Sequence, residues 1–152
     1  MKRTIAMVLA LVLVLAVCAG CGEKGKAVAI EPQTVADELK NSLTWDSEMV
    51  PYDEDDLRYY FDVADDAVIA GYCAATSTTE MVVAAQCADE AAAQALESSM
   101  KTYLADLKME AERYQPEEVA RVEKGALVRS GSAVVLCVAG DGAAEAVEAL
   151  LK

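Results

Sequence analysis

Three sets of side chains in the 152-residue sequence could do chemistry: a run of carboxylates, a pair of tyrosines on one helical stretch, and the cysteines. Asp53-Glu54-Asp55-Asp56, with Asp62, Asp65 and Asp66 behind it, offers oxygens to a hard cation such as calcium, which takes roughly six to eight. The run lacks the alternating Asp/Asn ligands, the turn glycine and the closing Glu of a calcium loop, so a solvated acidic surface is expected. Asp53, Asp55 and Asp56 stay as candidates for weak contact with a cation or a cationic partner. Tyr103 and Tyr114 share a face of a predicted helix, and Tyr114 adjoins Arg113. Aromatics at helical spacing belong to a core in most folds, and Tyr103, Arg113 and Tyr114 are the candidates for ligand or partner contact if they line a groove. Cys73, Cys87 and Cys137 fall in predicted strands, where a thiol behaves as a small apolar group. A turn centred near Thr78 sets Cys73 opposite about Val83 and Cys87 opposite about Ile69. That is roughly 13 Å apart at strand rise, beyond the about 7 Å that a disulfide allows. There is no CxxC spacing and no histidine, which removes Ser-His, Cys-His and His-metal chemistry. Ser130-Gly131-Ser132 has no strand-to-helix elbow and reads as a hairpin loop. The sequence assigns no catalytic residue, metal or cofactor, and a non-enzyme is expected.

The fourth chemical position is Cys21. Met1-Lys2-Arg3 is a short positive stretch, Ile5 to Ala19 is an apolar run of fifteen residues, and Cys18-Ala19-Gly20-Cys21 closes it with small residues before a cysteine. The run is short for a membrane span, which needs about 20 residues. The pattern resembles a bacterial lipoprotein signal, with residues 1–20 removed and Cys21 carrying a diacylglycerol thioether. Cys18 stands where leucine is commonest in such signals, but a cut before Cys18 would set branched Val17 at the bond. Residues 21–30 then form a lipidated tether, and residues 31–152 a single extracytoplasmic domain on the outer face of the cell membrane. Two acyl chains hold a protein to a bilayer without a spanning helix.

Charge narrows the partners. The chain has 13 Lys+Arg and 26 Asp+Glu; without Lys2 and Arg3 the balance is 11 − 26 = −15. Such a surface repels phosphate backbones, so no nucleic-acid partner is expected.

The elements follow from periodicity. Pro32 opens a short amphipathic helix with Val35, Leu39 and Leu43 on one face. Trp45 to Asp66 reads as a loop with one or two helical turns carrying Leu57, Tyr60 and Phe61. Residues 67–75 and 81–87 make a hairpin. Asp89 caps a long helix that stops before Pro116. A short helix near 117–123 ends at Gly125, and residues 126–129 and 133–139 make a second hairpin about Ser130-Gly131. In that pairing Arg129 faces Ser132, Val128 faces Ala133 and Leu127 faces Val134, and Asp141 opens a last helix. A shift of 52 residues aligns Val82-Val83 with Val134-Val135 and Asp89 with Asp141. The expected fold is α+β: a single antiparallel sheet from two strand-strand-helix units, with the helices packed on one face.

Glu80 leading into Met81-Val82-Val83, the long helix, Tyr114-Gln115-Pro116-Glu117, Ala126-Leu127-Val128, Gly131 and Val134 to Val138 together resemble a family of small uncharacterised lipoproteins of Gram-positive anaerobes, defined by a domain of unknown function. That family commonly has a tyrosine shortly after the hairpin glycine, where this chain has Ala133. The resemblance implies an extracytoplasmic α+β domain and brings no catalytic residue. Two functions compete: a membrane-anchored binding or interaction module with a protein partner, and an accessory lipoprotein that binds a small ligand. A pocket above about 300 Å³ with converging polar groups favours the second.

Overall fold

The structure is a computed structural model that describes residues 28–152. Pro32 at the first helical position, with Glu31 accepting from the Thr34 N–H, starts α1 (Pro32–Ser42). An edge strand β1 (Met49–Pro51) follows, then α2 (Glu54–Tyr60), the hairpin β2 (Val68–Ala74) and β3 (Met81–Gln86), and the long helix α3 (Glu90–Tyr114). A 3₁₀ turn (Pro116–Glu118) leads into α4 (Val119–Glu123), the hairpin β4 (Ala126–Ser130) and β5 (Ala133–Val138), and the closing helix α5 (Ala143–Leu150). The five strands form one antiparallel sheet in the order β1-β2-β3-β5-β4. The α+β class and both strand-strand-helix units are therefore present.

The helices do not share one face. Val82, Ala84, Val135 and Cys137 pack with Val35, Leu39 and Val147, so α1 and α5 cover one side of the sheet. Val83, Ala85, Val134, Leu136 and Val138 pack with Leu57, Phe61, Leu96, Met100 and Val122, so α2, α3 and α4 cover the other. All six residues of β5 are buried, as a strand covered on both sides requires. A one-sided sheet would leave three of these side chains in water.

Both hairpins pair in a different register from that expected. Cys73 faces Met81, not Val83, because the first turn centres on Ser77. In the second, Ser130 stays in the ladder opposite Ala133 and Val128 faces Val135. The two-residue turn is Gly131-Ser132, with Gly131 at φ 59° in the first central position, where a tight hairpin needs a left-handed residue. β1 is absent from the sequence reading because it has three residues and ends in Pro51, which an edge strand tolerates. Asp89 caps α3 by accepting from the Ala92 N–H at 2.8 Å. Asp141 does not cap α5: Gly142 at φ 91° occupies the cap, and Asp141 pairs with Lys124 at 2.8 Å. Among the described residues, no helix is long and apolar enough to cross a membrane.

Candidate functional site

Beside the paired hydrophobic layers lies an open cleft of about 560 Å³ between the end of α2 and the middle of α3. Two things build it. Leu57 and Phe61 are fully buried against the sheet and hold α2 down, which leaves Tyr60 beside them about half exposed. Asp62 then takes a left-handed backbone conformation, φ 31°, at the position where a helix commonly ends on glycine or asparagine. On α3, Ser98, Ser99, Thr102 and Asp106 line the opposite wall at helical spacing, with Tyr103 at its base.

The tyrosines form an edge-to-face chain. Tyr103 packs on Phe61 at 4.8 Å between ring centroids and on Tyr60 at 6.0 Å; Tyr60 packs on Tyr59 at 5.4 Å and on Tyr52 at 6.5 Å. Each contact sets a ring edge toward a neighbouring face, which fixes ring orientation. Burial, followed by the nearby Tyr60 and Glu110, pushes the Tyr103 phenol up to about 12, and burial first of all also raises Tyr52. These phenols stay protonated at neutral pH and serve as hydrogen-bonding groups, not bases.

The hydroxyls on the α3 wall are oriented. Ser98 Oγ donates to the Gln94 carbonyl at 2.9 Å and Thr102 Oγ1 donates to the Ser98 carbonyl at 3.2 Å. Their protons point into the helix backbone and their lone pairs remain for a ligand. Among the described residues, no lysine or arginine lines the cleft. The nearest cations in sequence are engaged elsewhere: Lys101 with Glu97 at 2.6 Å, and Arg58 with Glu54 and the carbonyls of Ala64 and Ala67.

The structure separates the residues singled out from sequence. Tyr103 is half-buried in the cleft, whereas Tyr114 is 76% exposed at the far end of α3, so the expectation that the pair is core fails for Tyr114. Tyr114 lines a second cleft, of about 340 Å³, with Thr78, Thr79, Glu110 and Gln115. Arg113 is exposed beside it. Eleven residues is about three turns of a helix, but the last turn of α3 buries Ala111 and leaves Tyr114 in water, so a shared face is not a shared environment. Asp53 accepts from the Asp55 N–H at 2.8 Å and caps α2, with Glu54, Asp55 and Asp56 in the first turn, where negative charge suits the helix dipole. Among the described residues, no group of three or more Cys, Asp or Glu is placed to hold a metal. Cys73, Cys87 and Cys137 are free thiols; burial raises all three, Cys137 to about 12, which suppresses the nucleophilic thiolate. Cys21 lies outside the described residues.

The sequence reading missed a charged knot at the end of β3. Glu80, 2% exposed, accepts from the Asp46 N–H at 2.8 Å, the Ser47 N–H at 3.0 Å and Thr78 Oγ1 at 3.2 Å. Glu118, 8% exposed, accepts from the N–H and Oγ1 of Thr79 at 3.0 and 2.9 Å. Arg121 binds Glu118 and Asp46 and lies 3.9 Å from Glu80. The knot ties the first hairpin turn to the loop before β1 and to α4. Its oxygens are filled by these contacts, which makes it a brace for the fold and not a vacant site.

Residues 42–139, which include every element of the sheet and α3, match a family described as a domain of unknown function, DUF4358. The chain belongs to this family. The match begins at the last residue of α1 and ends just after β5, so α5 and most of α1 lie outside the DUF4358 region although they cover one face of its sheet. No curated protein and no solved structure matches the chain.

Proposed function

We propose that this DUF4358 protein is a non-catalytic, small-ligand-binding lipoprotein, held on the outer face of the cell membrane by a diacylglycerol anchor on Cys21, with the cleft between α2 and α3 as its binding face. The observation that carries the binding face is the cleft of about 560 Å³ in which Tyr60, Asp62, Ser98, Thr102 and Asp106 converge. Ligand sites commonly fall between about 300 and 1,000 Å³ and combine aromatic surface with a few placed polar groups. This weighs the small-ligand reading above a flat protein-interaction surface. A non-catalytic role is supported by burial, which raises the thiols and the Tyr103 phenol and keeps them in the protonated, weakly nucleophilic form. The anchor rests on the sequence of residues 1–21, and the strongly negative charge suits a domain held away from anionic headgroups by a tether.

Two measurements test the two parts. Intact-mass analysis of the membrane-extracted protein should find residues 1–20 removed and Cys21 acylated, and Cys21→Ala should move the protein out of the membrane fraction. A chain beginning beyond Ala29 would remove the anchor. Native mass spectrometry of the extracted protein should show a bound small molecule that Tyr60→Leu releases; a protein that carries nothing and captures only another protein would restore the interaction-module reading.

A further inference from the structure

We infer that the ligand of the α2/α3 cleft is a small aliphatic di- or polyamine, bound through its ammonium groups; this rests on the cleft being the binding face proposed above. The argument is one of complementarity. The two carboxylates of the cleft, Asp62 and Asp106, accept hydrogen bonds and donate none. Ser98 and Thr102 direct their protons at helix carbonyls and present lone pairs. Tyr60 and Tyr103 add π-surface, which attracts cations. A wall rich in acceptors, with two negative charges and, among the described residues, no cation, fits a ligand that supplies donors and positive charge together. An alkylammonium does so with three N–H groups per nitrogen. A sugar fits less well, because its hydroxyls call for donors as well as acceptors, and among the described lining residues the donors are few: the two phenols and the Ser99 hydroxyl, against two carboxylates and the lone pairs of Ser98 and Thr102. An anionic ligand is excluded by charge. The shape agrees: the α3 wall runs from Ala95 to Asp106, about 16 Å at helical rise, which suits an extended chain with charges at intervals over a compact ring. The methylenes of such a chain would lie over the tyrosine rings.

The test is titration calorimetry of the full-length, detergent-solubilised protein with spermidine, at low and at high salt. Saturable one-to-one binding is expected at low salt, weakened as salt rises. The double variant Asp62→Asn, Asp106→Asn should weaken it about tenfold, from two exposed ion pairs. Tyr60→Leu, at a half-exposed position that leaves the core intact, should weaken it about two- to fivefold. The charge control is the triple variant Asp53→Asn, Asp55→Asn, Asp56→Asn, which removes three negative charges outside the cleft against two within it and should change binding less than twofold. If the triple variant weakens binding as much as the cleft variants do, the attraction is diffuse and the inference falls. If spermidine fails while a tetralysine peptide or an N-acetylglucosamine oligosaccharide binds in a Tyr60-dependent way, the cleft remains a binding face and the amine is wrong. If none of the three probes binds, both the inference and the binding-face reading are overturned.

Discussion

Removing Arg121 should destabilise this fold more than any other loss of a single charge. Its guanidinium is 15% exposed and faces Glu118 and Glu80, whose side chains are 10% and 1% exposed. Arg121→Met keeps the length and removes the charge, leaving two buried carboxylates with hydrogen-bond donors but no cation. Breaking a buried pair by deleting one partner costs about 3–5 kcal/mol, because the remaining charge is uncompensated. A domain of this size has a total stability of roughly 6–19 kcal/mol, so the fraction lost is large. At roughly 3 °C per kcal/mol, the melting temperature should fall by about 10–15 °C. The assay is urea and thermal unfolding followed by circular dichroism at pH 7 and pH 4. Burial raises the Glu118 carboxyl, but the Thr79 N–H and hydroxyl, with Arg121, outweigh burial and hold it below its ordinary 4.5. A depressed carboxylate stabilises the fold above that ordinary value, and the contribution is lost as pH falls through the lower folded value. In Arg121→Met the depression is reduced, so Glu118 takes up its proton at higher pH and the gap between variant and parent narrows below about pH 4.5. Adding Glu118→Gln to Arg121→Met should recover part of the loss. Asp46→Ala, which removes a carboxylate that is itself 73% exposed, should cost less than about 1 kcal/mol. A loss below about 1 kcal/mol for Arg121→Met at pH 7 would show that the knot is effectively solvated and refute the reasoning.

Three further outcomes follow from the packing. Val134→Asp and Val135→Asp should each cost several kcal/mol in urea unfolding, because both side chains are fully buried, on opposite faces; tolerance of either would show that face to be open. Gly71→Ala should cost more than Gly131→Ala: a Cβ at Gly71 would stand 2.5 Å from the Val82 carbonyl oxygen, whereas alanine at Gly131, φ 59°, would meet left-handed strain of about 1 kcal/mol, and thermal melts should rank the two in that order. Asp53→Asn, Asp55→Asn, Asp56→Asn should leave the melting temperature nearly unchanged, since asparagine caps a helix as well as aspartate does, while Asp53→Ala should cost about 1 kcal/mol.

The site was only partly legible. Tyr103 stood out by helical spacing, and it lies in the cleft. Tyr60 was read as part of a buried stripe with Leu57 and Phe61, yet it is 48% exposed, because a seven-residue helix can bury only one narrow side and Phe61 fills it. Asp62 was seen as one more member of an acidic run; its left-handed turn into the cleft depends on where α2 ends, which composition does not encode. Glu80 carried a different kind of signal. A glutamate directly before Met81-Val82-Val83 is a charge at the mouth of a fully buried strand, and such a charge needs partners. Apart from Thr78, those partners lie 33 to 41 residues away, at Asp46, Ser47 and Arg121, so the need could be read from sequence but not how it is met.

The placement of helices on both faces was also available in the residues, though it was read the other way. The shift of 52 that pairs the two units matches Val82 with Val134. In the sheet Val134 pairs with Ala85, and paired residues share a face. Ala85 is three residues from Val82 and therefore points to the opposite side, since strand side chains alternate. Val82 packs toward α1 and α5, and Val134 toward α2 and α3. Repeating the unit thus inverts its buried face, and each unit sends its helix to the side opposite the other. The unbroken run Ala133 to Val138 carries the same information, because a strand with one wet face would alternate and this one does not. The inversion also shapes the cleft: with α5 on the far side, α3 shares its face of the sheet with the short helices α2 and α4. α2 ends at Tyr60, too short to run alongside the 25-residue α3, so the polar stripe from Ser98 to Asp106 remains open beside it.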